Sequence, residues 1–256
     1  MAEVDPKAQL ADDVVVGPYA VVGPEVRIGA ACVLESHAVV MGNTSMGAGN
    51  HVFSHAVIGG PPQLLKDLGR DVGLVIGENN IFREFVTVNT GNELGGGPTR
   101  IGNNCLLMAF AHVAHDCVLG DHVELMNNVL LAGHIHVDDR AIISGGAALH
   151  QFVTVGTMAF VGGLSRIVQD VPPFMIVEGN PSKVRGINIV GLRRNGFSAA
   201  AIQNLKKAHR LVYRSQLTRK EALDQLQADG PPPEIESLVA FVRRSISGKQ
   251  GRARQP

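Results

Sequence analysis

Aromatic residues and cysteines are scarce in this sequence of 256 residues. It contains nine Phe, two Tyr and no Trp, although 45% of its residues are apolar. Cores of ordinary globular proteins use large rings to fill irregular gaps, so a core of small aliphatic side chains indicates a regular stack of similar layers. The three cysteines are an odd number without a CxxC motif, which argues against a disulfide framework and against a cysteine zinc site.

Long apolar runs are also missing. No run of about 18 apolar residues occurs, so we expect no membrane span. Residues 1–13 lack the basic start and the apolar stretch of a signal peptide, and we therefore expect a cytoplasmic protein. The length allows one large domain or two small ones.

The chain has no net charge, because 23 basic and 23 acidic side chains cancel. Their distribution is uneven: residues 1–191 carry ten basic and eighteen acidic side chains, whereas residues 192–256 carry thirteen and five. A basic C-terminal quarter suggests an acidic partner or ligand, and a solvated helical face is the alternative explanation. We expect no nucleic acid among the partners.

Apolar residues recur at every sixth position through most of the chain. This period is neither helical nor the alternation of a plain strand, and it fits a short strand followed by a tight turn. Three such units form one triangular turn, and stacked turns form a parallel β-helix. The pattern breaks at residues 60–73 and 90–99. The periodic residues are Val16, Val22, Ile28, Leu34, Val40, Met46, Val52, Ile58, Ile76, Phe82, Val88, Ile101, Leu107, Val113, Leu119, Leu125, Leu131, Val137, Ile143, Leu149, Val155, Val161 and Ile167.

The cysteines belong to a second inward column of this solenoid. Cys32, Cys105 and Cys117 each lie four residues after a periodic position, and we expect them to be inert core residues.

The six-residue period ends after Val168, and residues 174–192 are predicted to be irregular with a few extended pieces. Helices are predicted over residues 199–215, 218–228 and 235–247, with Ser198 as an N-cap and Thr218 and Glu221 in capping-box spacing. Residues 248–256 are predicted to form a disordered basic tail. The predicted domains are a β-helix over residues 1–190, with insertions at about 60–75 and 90–100, and a helical domain over residues 191–256.

Histidines cluster between residues 112 and 150. Because equivalent positions of successive turns stack in such a solenoid, His115 shares a column with Gly133 and Gln151, and Asp116 shares one with His134. A histidine beside a carboxylate, with a glycine N–H one turn away, supplies a general base, an orienting anion and a donor for an oxyanion. Solvated surface histidines and a zinc site are the alternatives. The residues brought to this edge are His115, Asp116, Gly133, His134, His150 and Gln151.

This inventory contains no Ser or Cys nucleophile, since Cys117 falls in the inward column. Direct transfer, in which His115 removes the proton of an incoming hydroxyl or amine, therefore fits better than a covalent acyl-enzyme.

Seven segments make the chain resemble a known family, the acyl-[acyl-carrier-protein]–UDP-N-acetylglucosamine O-acyltransferases. These are hexapeptide-repeat enzymes that start lipid A synthesis. The resemblance implies a left-handed parallel β-helix with a C-terminal α-helical domain, a homotrimer, and no cofactor or metal. It implies acyl carrier protein as the acyl donor and UDP-N-acetylglucosamine as the acceptor. The segments are NNCLLMAFAHVAHDCVLG (103–120), LLAGH (130–134), LHQF (149–152), VGG (161–163), QDVPPF (169–174), EGNPSKVRGIN (178–188) and GLRRNGFS (191–198).

The same resemblance implies roles for individual residues. His115 takes the proton of the sugar 3-hydroxyl, Asp116 orients it, and Gly133 donates its N–H to the oxyanion. Gly163 matches a position where a small residue leaves room for a long acyl chain. The positions implied to bind substrate are Lys66, His112, His134, His150, Gln151, Gly163, Asn188 and Arg194.

Three residues depart from the family pattern. Leu64 and Val190 replace acidic residues, and Asn195 replaces an arginine. These changes make the 3-amino analogue of the sugar conceivable as the acceptor, in which case the protein is an N-acyltransferase, and they equally allow another nucleotide sugar.

Two further alternatives remain open. One is a zinc hydratase of the carbonic-anhydrase type, which is also built on this solenoid. The other is a structural or binding solenoid without catalysis.

A basic stripe on the first predicted helix is a candidate surface for the acidic carrier protein. Lys206, Arg210 and Arg214 follow one another at four-residue spacing, with Lys207 beside them.

Overall fold

The computed structural model describes residues 1–64, 70–228 and 230–256. Most strands contain two residues, as the short repeat predicts. The strands before residue 93 are β1 (Glu3–Val4), β2 (Gln9–Leu10), β3 (Val15–Val16), β4 (Val21–Val22), β5 (Arg27–Ile28), β6 (Val33–Leu34), β7 (Val39–Val40), β8 (Thr44–Met46), β9 (His51–Val52), β10 (Val57–Gly60), β11 (Asp71–Ile76), β12 (Ile81–Phe82), β13 (Thr87–Asn89) and β14 (Gly91–Asn92).

A short 3-10 helix, Glu93–Gly95, separates these strands from the second half of the solenoid. The strands that follow are β15 (Thr99–Ile101), β16 (Leu106–Leu107), β17 (His112–Val113), β18 (Val118–Leu119), β19 (Glu124–Leu125), β20 (Leu130–Leu131), β21 (His136–Val137), β22 (Ile142–Ile143), β23 (Ala148–Leu149), β24 (Thr154–Val155), β25 (Phe160–Val161), β26 (Arg166–Ile167), β27 (Met175–Gly179) and β28 (Ser182–Ile187).

The strands form three sheets that wrap one core. Sheet 1 has the order β1-β4-β7-β10-β13-β17-β20-β23-β26, and sheet 2 has the order β2-β5-β8-β11-β15-β18-β21-β24. Sheet 3 has the order β3-β6-β9-β12-β16-β19-β22-β25-β27-β28. Along the solenoid each strand pairs in parallel with the strand one turn later, as Leu130 does with Ala148. The predicted parallel β-helix with triangular turns is confirmed.

The periodic residues fill the interior. Leu34, Val113 and Leu131 are fully buried, and the cysteine column lies beside them. Burial raises the pKa of Cys105 to about 11 and that of Cys117 to about 12, so both thiols stay protonated at neutral pH. The prediction of inert core cysteines is confirmed.

The region that follows the solenoid is more ordered than its sequence predicts. Strands β27 and β28 form an antiparallel hairpin, and α1 (Ile189–Arg194) follows directly. The extended pieces predicted within residues 174–192 are therefore present, but the prediction that the segment is otherwise irregular was wrong. The hairpin and α1 do not follow the six-residue period, so the repeat pattern could not predict them.

Three longer helices complete the chain: α2 (Ala199–Arg214), α3 (Arg219–Gln227) and α4 (Pro233–Ser247). Ser198 caps α2, and Thr218 and Glu221 form the predicted capping box of α3. The helices pack on a second core that includes Leu205 and Leu238. Among the helices in the described ranges, none is long and apolar enough to cross a bilayer.

Residues 248–256 do not form the predicted disordered tail. Asp170 donates its N–H to the Gly251 carbonyl at 2.9 Å, and its carboxylate accepts from the Ala253 N–H at 2.8 Å. Arg252 is 3% exposed and donates to the Val168 carbonyl. The prediction rested on composition alone, and it missed that the last turn of the solenoid offers partners for this segment.

Candidate active site

The histidine cluster lies at the corner between sheets 1 and 2. The chain leaves sheet 1 after β17 and enters sheet 2 at β18, and the four residues between them make the turn. Asp116, His134 and Phe152 occupy equivalent positions in three successive turns, with φ of 60°, 62° and 66°. Asp and His tolerate this left-handed conformation better than most residues. The corner thus aligns their side chains in one column at the edge of the solenoid, as the repeat spacing predicts.

His115 and Asp116 form a buried hydrogen-bonded pair. The Nδ1 of His115 lies 2.6 Å from Oδ2 of Asp116, and the two side chains are 11% and 2% exposed. Because an ionised carboxylate only accepts hydrogen bonds, Nδ1 of a neutral His115 carries the proton. Nε2 is then the basic nitrogen, and it has no hydrogen-bond partner within the described ranges.

Gly133 lies directly against the imidazole of His115. A Cβ placed on Gly133 would be 2.5 Å from Cε1 and 2.7 Å from Nε2 of that ring. The φ of Gly133 is outside the left-handed region, so glycine is required here for space and not for backbone conformation. Its N–H has no acceptor in the part of the chain that the structure describes. The predicted column of His115 and Gly133 is present, and His134 donates its N–H to the His115 carbonyl at 3.1 Å.

The insertion at residues 90–99 encloses the carboxylate of Asp116. The backbone N–H of Asn92 donates to Oδ1 at 2.9 Å, and its side-chain Nδ2 donates to Oδ2 at 2.7 Å. Thr99 accepts from the N–H of Asp116 at 2.8 Å, and Gly95 packs against the carboxylate. The repeat spacing could not predict these contacts, because the insertion interrupts the six-residue period.

Two more histidines flank the pair. Nδ1 of His112 lies 2.7 Å from the Thr87 hydroxyl, and the His134 ring stacks on Phe152 with centroids 4.6 Å apart. Burial lowers the pKa of both imidazoles, and the nearby His115 lowers that of His112 further. Both side chains are therefore neutral donors and acceptors at pH 7.

His115, Asp116 and His134 together present three potential metal ligands whose atoms lie within 4.8 Å of one another. The distances favour a hydrogen-bonded pair over a metal centre. Two ligands of a tetrahedral zinc ion at ordinary bond lengths lie about 3.3 Å apart, whereas His115 Nδ1 and Asp116 Oδ2 are 2.6 Å apart.

The other predicted substrate-binding residues are spread along the solenoid. His150 and Gln151 are exposed at the same corner, and Nδ1 of His150 donates to the Gln151 carbonyl at 3.0 Å. Gly163 is exposed at the corner between sheets 3 and 1, where an added Cβ would lie 3.3 Å from the Gly145 carbonyl oxygen. Lys66 lies outside the described residues. Leu64, the last described residue before that gap, is 38% exposed.

Asn188 and Arg194 belong to a separate cavity of about 330 Å³ at the corner between sheets 2 and 3. The Asn188 side chain is buried: it donates to the Met158 carbonyl and accepts from the Gly191 N–H at the start of α1. Arg140 donates to Oδ1 of Asn195 at 3.0 Å on the cavity wall. The lining residues are His122, Glu124, Arg140, Ile142, Met158, Phe160, Asn188, Val190, Gly191, Arg194 and Asn195.

Comparison with known proteins identifies the family. Residues 98–133 match the bacterial transferase hexapeptide (six repeats), and residues 170–251 match domain 2 of Udp N-acetylglucosamine O-acyltransferase. The chain is 49% identical over 198 residues to the acyl-[acyl-carrier-protein]–UDP-N-acetylglucosamine O-acyltransferase of Gloeothece citriformis, covering 75% of this chain and 70% of the relative. The chain belongs to this family of acyltransferases.

Solved structures agree with this assignment. LpxA from Acinetobacter baumannii superposes with a TM-score of 0.88 at 41% identity, and the alignment covers 93% of each chain. UDP-N-acetylglucosamine O-acyltransferase from Moraxella catarrhalis gives a TM-score of 0.87 at 42% identity, again over 93% of each chain. The predicted left-handed β-helix with a C-terminal helical domain is confirmed, as is the prediction of an acyltransferase. Family membership favours acyl transfer over the zinc-hydratase and non-catalytic alternatives.

The basic stripe of this acyltransferase differs in one detail from its prediction. Lys207, Arg210 and Arg214 are exposed on α2, whereas Lys206 is half-buried at the edge of that face. No ion pair joins the three exposed side chains to a carboxylate in the described ranges, so their charge is available to a partner.

Proposed function

We propose that this family member transfers an (R)-3-hydroxyacyl chain from acyl carrier protein to the 3-hydroxyl of UDP-N-acetylglucosamine. This is the first step of lipid A synthesis, and we propose that it takes place in the cytoplasm. The relatives are named after both substrates, the acyl-acyl-carrier protein and UDP-N-acetylglucosamine. The observation that supports the chemistry best is the buried pair of His115 and Asp116 against the bare backbone of Gly133.

In the proposed reaction, Nε2 of His115 removes the proton of the sugar 3-hydroxyl as its oxygen attacks the thioester carbonyl carbon. The carbonyl oxygen becomes an oxyanion, and the free N–H of Gly133 stabilises it. Collapse of this intermediate breaks the carbon–sulfur bond and releases the carrier thiolate, which takes the proton from His115. Asp116 holds the Nδ1 proton throughout and stabilises the imidazolium form.

The neighbouring residues have binding roles in this proposal. Neutral His112 and His134 hydrogen-bond the sugar or the acyl group, and exposed His150 and Gln151 continue the cleft along the same corner. The resemblance adds Lys66 in the first insertion and Gly163 as the residue that leaves room for the acyl chain. No cofactor or metal takes part.

A neighbouring subunit completes the site in the homotrimer that we propose. On one chain His115 and Arg194 lie at different corners, so a single nucleotide sugar needs the corners of two subunits. The outward faces of sheets 1 and 3 carry exposed apolar side chains, including Leu130 (51%) and Val15 (58%). If sheet 1 of one subunit packs on sheet 3 of the next, three copies close a ring, and each His115 corner faces a neighbour's Arg194 cavity.

The corner between sheets 3 and 1 would then lie at the threefold axis. It carries a ladder of stacked rings with centroids 4.8–5.1 Å apart. Three of the rings are about half exposed, which is an unusual amount of apolar surface for a solvated edge. The ladder consists of Tyr19, His37, His55, Phe85 and Phe110.

The two proposed domains have different roles, catalysis and binding of the carrier protein. Residues 1–190 carry the catalytic corner, and residues 191–256 present Lys207, Arg210 and Arg214 to the carrier protein. An acidic carrier is attracted to this face, and its acyl arm then reaches the corner of the solenoid.

A product assay tests the proposal. The purified protein is given acyl carrier proteins loaded with (R)-3-hydroxyacyl chains of graded length, with UDP-N-acetylglucosamine or its 3-amino analogue as the acceptor. We expect an ester at O3 of UDP-N-acetylglucosamine. Exclusive use of the 3-amino sugar would instead establish the N-acyltransferase that Leu64, Val190 and Asn195 made conceivable, and no acylated product from either sugar would refute transfer to both of these acceptors.

A further inference from the structure

Asn92 contacts both oxygens of the Asp116 carboxylate. Its backbone N–H donates to Oδ1 at 2.9 Å, and its Nδ2 donates to Oδ2 at 2.7 Å. A carboxylate held at both oxygens has a fixed plane, because rotation would break one of the two hydrogen bonds. The orientation of Oδ2 toward His115 is therefore set by the insertion and not by the corner that carries the pair.

A competing partner makes this orientation consequential. Nε2 of His134 lies 3.7 Å from Oδ2 of Asp116, just outside hydrogen-bond range, whereas Nδ1 of His115 lies at 2.6 Å. A carboxylate free to rotate could exchange one histidine for the other. His115 would then lose the acceptor for its Nδ1 proton, and the neutral ring could place the proton on Nε2, where it cannot act as a base.

The environment of Asn92 fixes its amide in the orientation that contacts Asp116. The residue is 3% exposed, and its side-chain Oδ1 has no hydrogen-bond partner within the described residues. An unpaired buried carbonyl is unfavourable, yet the opposite amide orientation would place that oxygen against the carboxylate. Gly95 closes the other side, where any Cβ would overlap the Asp116 carboxylate.

We propose that Asn92 is a positioning residue for acyl transfer. It holds the Asp116 carboxylate so that Oδ2 keeps the Nδ1 proton of His115 and Nε2 stays free to act as the base. This inference rests on the proposed function, and it adds the insertion at residues 90–99 to the apparatus of the reaction.

The test is Asn92→Ala, with Asn103→Ala as a matched control. Asn103 also donates its N–H and its Nδ2 to an aspartate at another corner of the solenoid, but both donate to a single oxygen, Oδ1 of Asp121, at 2.7 and 3.0 Å. We expect Asn92→Ala to lower kcat roughly 10- to 100-fold at unchanged KM for both substrates. Asn103→Ala should stay within about twofold of the wild-type kcat.

A second readout does not depend on activity. Nitrogen-15 NMR of labelled histidine, assigned by comparison with His115→Ala, reports which ring nitrogen of His115 is protonated. We expect the Nδ1–H form in the wild type and a mixture of both forms in Asn92→Ala. If the variant fails to fold, Asn92→Ser replaces it, since serine also keeps the backbone contact and loses the Nδ2 donor, but it leaves a hydroxyl in the buried polar site.

An unchanged kcat, a change in KM alone, or an unchanged His115 tautomer in the folded variant would overturn the positioning role. Failure of the proposed function is distinguishable from this outcome. In that case the wild type forms no acylated sugar, while the NMR comparison still shows whether Asn92 controls the protonation of His115.

Discussion

The imidazole of His115 rests on the backbone of Gly133, one turn of the solenoid later. The contact is so close that a Cβ on Gly133 would lie 2.5 Å from Cε1 of the ring. The same glycine leaves its N–H without an acceptor among the described residues. Gly133 therefore has two roles: its lack of a side chain makes space for the His115 ring, and its N–H is available to stabilise an oxyanion.

Gly133→Ala should inactivate the enzyme without unfolding it. The added methyl group displaces the His115 ring from its contact with Asp116, and we expect kcat to fall by about two orders of magnitude. Steady-state kinetics together with the thermal unfolding midpoint would measure both effects. Gly186→Ala is the control, because a Cβ there meets no atom within 4 Å. Equal activity of the two variants would contradict the proposed geometry.

Subunits with different defects should complement each other. His115→Ala removes the base from one corner, and Arg194→Glu reverses a charge in the cavity at another. If each site combines these corners from two subunits, trimers assembled at random from both variants contain about one intact site in four. Activity should be assayed at low acceptor concentration after co-expression. A mixture no more active than the sum of the separate variants would show that one subunit holds the entire site.

Charge reversal on α2 should weaken use of the carrier protein selectively. Lys207→Glu with Arg210→Glu replaces attraction by repulsion, and we expect KM for the acyl carrier protein to rise about tenfold while KM for the UDP-sugar is unchanged. The wild-type KM for the carrier should also rise with salt. Arg27→Glu, an exposed change on sheet 2, is the control. A similar effect of the control would assign the change to net charge alone.

His136 should make the protein less stable in acid. Burial, and then the charge of Arg254, lower its pKa to about 4, whereas an unfolded histidine titrates near 6.5. Between these two pH values His136 binds a proton in the unfolded chain but not in the native state. The free energy of unfolding therefore falls as pH drops from about 6.5 to about 4. His136→Gln should flatten this slope in urea titrations at several pH values. Identical slopes for both proteins would refute the assignment.

The sequence predicted those parts of the molecule that obey the repeat. Fixed spacing placed His115 over Gly133 and Asp116 over His134 without a structure, because every regular turn has the same length and the side chains stack. Asn92 could not be found this way, since the insertion that carries it lengthens the turn between the paired residues Thr87 and His112. Its role depends on how that loop folds back over the corner.

Composition alone gave a wrong prediction for the C-terminal residues, because their order depends on contacts with a distant part of the chain. Residues 248–256 look like a basic tail, but the Asp170 carboxylate and the Val168 carbonyl hold them against the last turn. No local pattern reveals such a distant partner. Lys66 remains a prediction from the resemblance, because it lies outside the described residues.

The activity of His115→Ala tests the central claim most directly. At neutral pH, with saturating acyl carrier protein and UDP-N-acetylglucosamine, we expect its kcat to be lower than that of the wild type by at least about two orders of magnitude. His136→Gln, a change on sheet 2 outside the site, should keep the wild-type rate. Near-normal transfer by folded His115→Ala would contradict the assignment of His115 as the general base.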